Sequence, residues 1–172
     1  IENIKEECET SVREGSTTLI LSDKNISNER ANIPTILAVG AVQSHLVKLG
    51  LRGYCSLNVE SSDTLDTHSF AILIGVGATT VNPYLAIDSI YQRFEKRLFG
   101  KLDFENCILK FKKSIDAGLL KIMSKMGISV ISSYRGGCNF EAVGLSRAIV
   151  SDYFPGMSSR ISGIGIIGIE KK

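Results

Sequence analysis

The chain has 172 residues, of which 44% are hydrophobic and 22% are charged, a composition typical of a globular domain with a buried core. Its formal net charge of +2 is too small to favour nucleic acid or a membrane surface as a partner. No apolar run approaches the roughly 20 residues that span a bilayer, so we expect no membrane-spanning segment.

The four cysteines are far apart in the sequence, at positions 8, 55, 107 and 138, and no CxxC pair is present. This spacing does not favour a metal site and is typical of reduced, mostly buried thiols. The acidic N-terminus shows no signal peptide. We therefore expect a cytoplasmic protein. Because the chain opens without methionine and closes without a terminal element, we interpret it as a piece of a longer polypeptide.

The first half of the chain alternates helix and strand signals. Apolar residues at helical spacing predict a first helix, residues 17–22 are predicted to be a buried strand, and residues 54–60 are predicted to be a second strand. Between them lies a predicted helix with Pro34 in its first turn. A further helix over 67–74 leads to a short third strand at 78–81.

The second half begins with a predicted helix over 85–96, followed by a long amphipathic helix that Asp103 caps. Gly118 is expected to divide this long helix into two. Its lysines between 110 and 125 lie on one face, and such a basic stripe usually faces solvent rather than nucleic acid. We therefore expect no nucleic-acid partner.

A β-branched run at 128–132 predicts a fourth strand, and Asn139 is expected to cap a helix that opens at Phe140. Residues 160–167 offer a fifth strand. Because strands alternate with helices, the chain is predicted to be an α/β protein with a parallel sheet and right-handed crossovers. Four or five strands are too few to close an eight-stranded barrel.

The carboxyl ends of the predicted strands carry polar side chains, and this is the edge at which parallel α/β folds gather function. Asp23, Glu60 and Asn82 follow the first three strands, and Tyr134 and Arg135 follow the fourth. The five could form a catalytic or anion-binding site, or a polar network that holds the loops, and the second role is favoured. We expect Arg135 to hydrogen-bond Asp23, Glu60 or the backbone of loops at that edge.

Other motifs give weaker signals. The turn 135–137 could hold a phosphate, although no second basic residue lies nearby in sequence. The glycines of 163–168 match GxGxxG but lack a following helix and a distant acid, so a dinucleotide site is not expected. His45 and His68 have no nucleophile placed by a motif, and Cys138 has no identified base.

A family resemblance joins these segments. Residues 121–146, KIMSKMGISVISSYRGGCNFEAVGLS, resemble the end of the central domain of the large subunit of glutamate synthase. Three further runs match in the same order: LILSDKNISNERANIPTILAVGAVQSHLVKLGLR, HSFAILIGVGATTVNPYLA and SSRISGIG. The chain departs from the family at 137–139, where Gly-Cys-Asn replaces the usual Ala-Gln-Ile, and at 67–69, where Thr-His-Ser replaces Val-His-His.

The resemblance implies a parent enzyme of nitrogen metabolism that makes glutamate from glutamine and 2-oxoglutarate. In that family an amidotransferase domain releases ammonia, and a later barrel holds FMN and a [3Fe-4S] cluster. The central domain packs between them and helps to wall the ammonia passage. It is related to the flavin-binding barrel, so residues 1–172 are expected to be one fragment of an incomplete or rudimentary TIM-barrel-like domain.

Since neither the nucleophile nor the cofactor motifs occur in this chain, we expect it alone to have no catalytic residue, no flavin and no cluster. Strand edges and apolar faces left without neighbours should make the fragment self-associate. The alternative is a stand-alone TIM-barrel-like phosphate-binding protein or enzyme that uses the strand-end cluster. A natural start codon just before residue 1 would favour that alternative.

Overall fold

The computed structural model describes residues 1–29 and 31–171. In these two ranges, none of the helices is both long and apolar enough to cross a membrane. The helices are α1 (Glu2–Arg13), α2 (Thr35–Lys48), α3 (Thr67–Val76), α4 (Tyr84–Glu95), α5 (Phe104–Lys125), α6 (Ile131–Tyr134), α7 (Arg147–Tyr153) and α8 (Ile166–Glu170). The strands are β1 (Thr18–Ser22), β2 (Ser56–Glu60), β3 (Thr80–Asn82), β4 (Glu141–Leu145) and β5 (Ser158–Ile164).

The first three strands form one parallel sheet in the order β1-β2-β3, which confirms the predicted α/β class and strand direction. The register pairs Ser22 with Glu60 and Glu60 with Asn82, so the carboxyl ends of the three strands are level. Helices α2 and α3 connect the strands in the manner of βαβ units.

The last two strands form a second parallel sheet, β4-β5, which shares no strand with the first. Within the described residues, the strands therefore form two separate sheets and no closed barrel. Two register irregularities interrupt the β4-β5 pairing.

Helix α2 lies at the centre of the packing because it is apolar around most of its circumference. Its Val39, Val42 and Leu46 are fully buried and pack against Leu57 and Val59 of the three-stranded sheet.

The opposite side of α2 packs against α7. A Cβ atom on Gly40 would lie 2.3 Å from Cε1 of Phe154 and 2.9 Å from the Tyr153 carbonyl oxygen. The two helices can approach this closely only because residue 40 has no side chain. Leu37 of α2 joins Phe154 in a second core cluster that also contains Ala142 of β4.

The predicted fourth strand at 128–132 is wrong. Gly127 has a φ of +70°, and the Ile128 amide donates to the Met123 carbonyl oxygen over 2.9 Å, which ends α5 in a left-handed cap. Ile128 is thus part of a helix terminus, and Val130 and Ile131 are exposed rather than buried on both faces. The chain then makes one helical turn, α6, instead of a strand.

Two neighbouring predictions also fail. The helix that Asn139 was expected to cap is instead strand β4, which begins at Glu141. The predicted strand at 160–167 is correct as far as Ile164, after which the glycine-rich segment enters the short helix α8 rather than remaining extended.

Helix α5 is continuous, so the expected break at Gly118 is also wrong. A Cβ atom at this position would lie 2.5 Å from Cγ2 and 2.6 Å from Oγ1 of Thr67. Glycine is therefore present because α3 and α5 pack closely here, not because the helix ends. The predicted cap is confirmed, since Oδ1 of Asp103 accepts from the Asn106 amide over 2.7 Å.

Candidate functional site

The level ends of β1, β2 and β3 bring a row of polar side chains together around Glu60. Ser22 Oγ donates to Glu60 Oε2 over 2.9 Å, and Asn82 Nδ2 donates to Oε1 over 3.2 Å. Lys24 Nζ adds an ion pair to Oε1 at 3.0 Å. The hydrogen bonds from Lys24 and Ser22 lower the pKa of Glu60. Both oxygens of this carboxylate are thus engaged by internal donors.

Lys24 is held from a second side as well. Its ammonium nitrogen lies 5.1 Å from the centre of the Tyr84 ring, within the range of a cation–π contact. Desolvation raises the pKa of Tyr84, and the neighbouring Asp23 carboxylate raises it further. Lys24 therefore links the loop after β1 to the first turn of α4.

Asp23 joins the same edge of the sheet through different contacts. Its buried side chain accepts at Oδ2 from the Ser62 amide over 2.8 Å and from the Ser62 hydroxyl over 2.7 Å. The Asp23 amide donates to the Glu60 carbonyl oxygen over 3.3 Å. Asp23 thereby fastens the end of β1 to the loop that follows β2.

A shallow groove of about 580 Å³ runs along the outer edge of β1, with Asp23 and Glu60 at one end of it. Residues of α1, β1 and the loop before α2 form its walls. The groove is half open to solvent and mixes polar with apolar walls, which does not define a ligand class.

Tyr134 and Arg135 do not join this cluster. Tyr134 is 1% exposed and packs in a separate core with Ala71 and Met123. The Gly136 amide donates over 2.8 Å to the carbonyl oxygen of Gly75, near the end of α3. Since α3 leads into the amino end of β3, Arg135 lies toward the opposite edge of the sheet from Glu60.

The expected hydrogen bonds of Arg135 are consequently absent. Its side chain makes none with Asp23, Glu60 or any other residue in the two described ranges, and its Nε atom is buried without a partner. The reason is that the strand expected at 128–132 does not form, so the residues after it never reach the carboxyl edge.

Arg52 is a polar centre that the sequence analysis missed. Its Nη1 donates to the Cys55 carbonyl oxygen over 2.6 Å, and its Nη2 donates to the Gly77 carbonyl oxygen over 2.9 Å. Desolvation lowers the pKa of Arg52, and the positive charge of Arg135 lowers it further. No local motif marks this role, because the partners are 3 and 25 residues away along the chain.

The histidines lie outside the strand-end cluster. His45 Nε2 and Glu9 Oε2 are 2.8 Å apart, which links α2 to α1, and Arg13 engages the other oxygen of Glu9 at the same distance. The hydrogen bonds from Arg13 and His45 lower the pKa of Glu9. His68 is exposed on the first turn of α3.

The cysteines do not gather into one site. Cys8 and Cys55 share the main core, where burial raises the pKa of Cys8 to about 11. Cys107 is buried elsewhere, and Cys138 is exposed. Across residues 1–29 and 31–171, no three His, Cys, Asp or Glu side chains are grouped so that they could hold a metal ion.

Comparison with known proteins places the chain in a family. Residues 1–146 match the model of the glutamate synthase central domain. The chain is 59% identical over 172 residues to the glutamate synthase [NADPH] large chain of Azospirillum brasilense, an alignment that covers 100% of this chain and 11% of that protein. It is 44% identical over 162 residues to the large chain of Bacillus subtilis, covering 93% of this chain and 10% of that protein.

A ferredoxin-dependent glutamate synthase of Pyropia yezoensis is 39% identical over 183 residues, which cover 100% of this chain and 12% of that protein. The chain therefore belongs to the glutamate synthase central domain family, as the sequence resemblance indicated. It spans about a tenth of the length of these relatives.

Proposed function

We propose that this chain is the connecting domain of a cytoplasmic, glutamate-forming enzyme. In this proposal it lies between an amidotransferase domain and an FMN-binding domain of one polypeptide and forms part of the wall of the ammonia passage. Family membership supports the parent activity, since the relatives are named glutamate synthases that use NADPH or ferredoxin.

The β4-β5 sheet is the observation that carries the connecting role. Strand β4 lies inside the range that matches the family model, whereas β5 lies beyond residue 146. The two strands pair in parallel from Glu141 with Ser158 to Leu145 with Ile164. The sheet therefore ties the central-domain sequence to the segment that follows it.

One face of this sheet is available for a neighbour. Ala142 on the inner face is buried against α2 and α7. On the outer face, Val143 is 65% exposed and Ile161 is 63% exposed. A two-stranded sheet is stable only when packing supports it, so we propose that the FMN-binding domain covers this outer face.

The three-stranded sheet supports a further part of the proposal, that the domain is a rudimentary TIM-barrel-like fold. Parallel strands in sequential order, each followed by a helix, are the repeating unit of such barrels. We propose that β1 to β3 are the part of an incomplete barrel that this chain contributes.

The proposed FMN and [3Fe-4S] cluster of the parent enzyme are assigned to other parts of the polypeptide. Cysteine thiolates are the usual ligands of a [3Fe-4S] cluster, and burial disfavours the thiolate of Cys8. The remaining cysteines do not lie in a group with it, apart from Cys55 in the same apolar core. The residues present thus do not fit a cluster.

The stand-alone enzyme is not proposed, because no observation favours it over a structural cluster. Glu60 engages both oxygens with Ser22, Lys24 and Asn82, and Asp23 engages one oxygen with Ser62. These contacts are those of side chains that hold loops at the end of a sheet.

The test uses the full-length polypeptide and compares glutamine-dependent with ammonia-dependent glutamate formation. Val143→Asp places a charge on the outer face of β4 and should lower the glutamine-dependent rate much more than the ammonia-dependent rate. The matched control is Leu120→Asp on α5, since Leu120 is 64% exposed and lies away from the sheet. Equal rates for Val143→Asp and the control in both assays would contradict the proposal.

A further inference from the structure

A short stretch of the chain concentrates polar atoms that lack partners. Tyr134 Oη, Arg135 Nε and Asn139 Nδ2 are buried and have no hydrogen-bond partner among the described residues. The arginine and amide nitrogens can only donate, and the tyrosine hydroxyl can donate as well. Because buried polar groups in folded proteins are nearly always paired, the shared deficit points to a missing acceptor.

The region of these unpaired polar atoms also carries positive charge. The Gly136 amide is bound to the Gly75 carbonyl oxygen, and the Arg52 guanidinium is bound to the Gly77 carbonyl oxygen. Residues 75 and 77 are two positions apart at the end of α3, so the backbone after Arg135 and the side chain of Arg52 are held at the same helix end, and the charge of Arg135 acts on Arg52. The ion pairs found among the described residues include neither arginine.

The donors of Arg52 are already engaged, whereas those of Arg135 are available. Arg52 donates to the Gln43 side chain, to two carbonyl oxygens and to Thr79. It therefore contributes charge from a fixed position. The Arg135 side chain makes no hydrogen bond with any described residue, and its Nε atom is buried without a partner.

The side-chain amide of Asn139 lies close to the glycine turn that follows Arg135. A Cβ atom on Gly137 would lie 2.8 Å from Asn139 Nδ2 and 3.2 Å from the Tyr134 carbonyl oxygen. The amide of Asn139 thus packs against the turn at residues 134–137, and a side chain at position 137 would displace it.

We propose that Arg135 and Asn139 bind an oxyanion at the amino edge of the three-stranded sheet, with Arg52 adding positive charge. A phosphate or carboxylate group presents oxygens that match the parallel N–H groups of a guanidinium, and the amide supplies another donor. Two sources would supply the same oxygen acceptors: a free ion, or an acidic side chain from elsewhere in the polypeptide. This site is independent of the connecting role proposed above.

The first experiment titrates the ¹⁵N-labelled chain with inorganic phosphate at constant ionic strength maintained with NaCl. The Nε–H resonance of Arg135, assigned by its loss in Arg135→Lys, and the side-chain amide of Asn139 should shift and saturate together. Arg135→Gln and Asn139→Ala should each weaken phosphate binding, the arginine change by about tenfold or more. Arg147→Gln, an exposed change of equal charge on α7, should leave binding unchanged.

A chemical-shift change that does not saturate with phosphate would show only screening by the salt and would overturn the site. A change of equal size at the exposed arginines would do the same. Loss of binding in a variant is interpreted only when its circular dichroism and melting curve show that it is folded. Because Asn139 and Arg135 are substituted separately, the test does not depend on the folding of one variant.

Phenylglyoxal modification of Arg135 distinguishes the two sources of the oxyanion. Mass spectrometry measures how far Arg135 is modified in this chain and in the full-length polypeptide, with and without phosphate. If Arg135 of the full-length protein is protected from phenylglyoxal only when phosphate is present, the oxyanion is a free ion. Protection without phosphate identifies an acidic side chain of the same polypeptide. Full reactivity of Arg135 in both proteins, with and without phosphate, would contradict an oxyanion from either source.

Discussion

Val143 and Ile161 are register partners on adjacent parallel strands, and their side chains are 65% and 63% exposed. Two β-branched side chains that meet across a strand pair usually contribute to a packed face. Here the pair faces outward, on a sheet that joins the family-matched range to the residues after it. This exposed pair is the centre of the face that we propose a neighbouring domain covers.

The first prediction is that the isolated chain self-associates through this pair. Val143→Lys should shift the sedimentation profile toward monomer, because the charge opposes burial of the outer face. The matched change Leu120→Lys on α5 should have little effect. Identical association of the two variants would show that the outer face of β4-β5 is not the contact.

The second prediction concerns the pH dependence contributed by Glu60. Its pKa is lower in the folded chain than in the unfolded chain, so its contribution to stability is present above the unfolded value and lost as the pH falls through the folded value. Glu60→Gln should therefore lower the melting temperature at pH 7.

The difference from the unmodified chain should shrink as the pH falls below the ordinary glutamate value of about 4.3 and through the lowered folded pKa of Glu60. Thermal melts over this range provide the measurement, with the exposed Glu95→Gln as the control. A difference between Glu60→Gln and the unmodified chain that does not change with pH would contradict the hydrogen-bonded, ionised carboxylate.

The third prediction concerns the close approach of α3 and α5. Gly118→Ala removes a helix-interior glycine, which would ordinarily stabilise a helix by about 1 kcal/mol. The new Cβ atom would nevertheless meet Thr67 at 2.5 Å, and overpacking of this kind costs about 1–3 kcal/mol. The variant should therefore unfold at lower denaturant concentration.

A double-mutant cycle separates the two effects of that change. Thr67→Ala removes the two closest atoms, and Gly118→Ala should then stabilise the Thr67→Ala background. If Gly118→Ala destabilised both backgrounds equally, contact with Thr67 could not be the reason for the glycine.

The fourth prediction concerns the buried hydroxyl of Tyr134. Because the hydroxyl has no partner among the described residues, Tyr134→Phe should leave the free energy of unfolding unchanged or raise it by about 1 kcal/mol. Tyr134→Ala should lower it by roughly 3–5 kcal/mol through the cavity left in the core. Denaturant melts of both variants provide the measurement, and clear destabilisation by Tyr134→Phe would disprove the unpaired hydroxyl.

The first half of the fold could be predicted from sequence because local and long-range preferences agree there. The mostly apolar sequence of α2 and the alternating burial of β2 suit the structure that they adopt. Strand β1 forms where it was predicted, but its Ile20 is 63% exposed rather than buried. The cluster of Asp23, Glu60 and Asn82 follows from the rule that parallel strands end at one edge.

The segment after α5 could not be predicted in the same way. A β-branched run at 128–132 is compatible with a buried strand, but the left-handed cap at Gly127 attaches Ile128 to the end of α5. Placement of Arg135 depended on that strand and therefore failed with it. Arg52 was missed because Gly77, which is 25 residues further along the chain, meets it only through tertiary structure.

Hydrogen–deuterium exchange, compared between this chain and the full-length polypeptide, tests the connecting role most directly. If a following domain covers the outer face of β4-β5, amides of residues 141–145 and 158–164 should exchange markedly more slowly in the full-length protein. Amides in the exposed middle of α5 should exchange at similar rates in both proteins. Equal exchange of β4 and β5 in the two proteins would contradict the proposal that this sheet is where the central domain meets its neighbour.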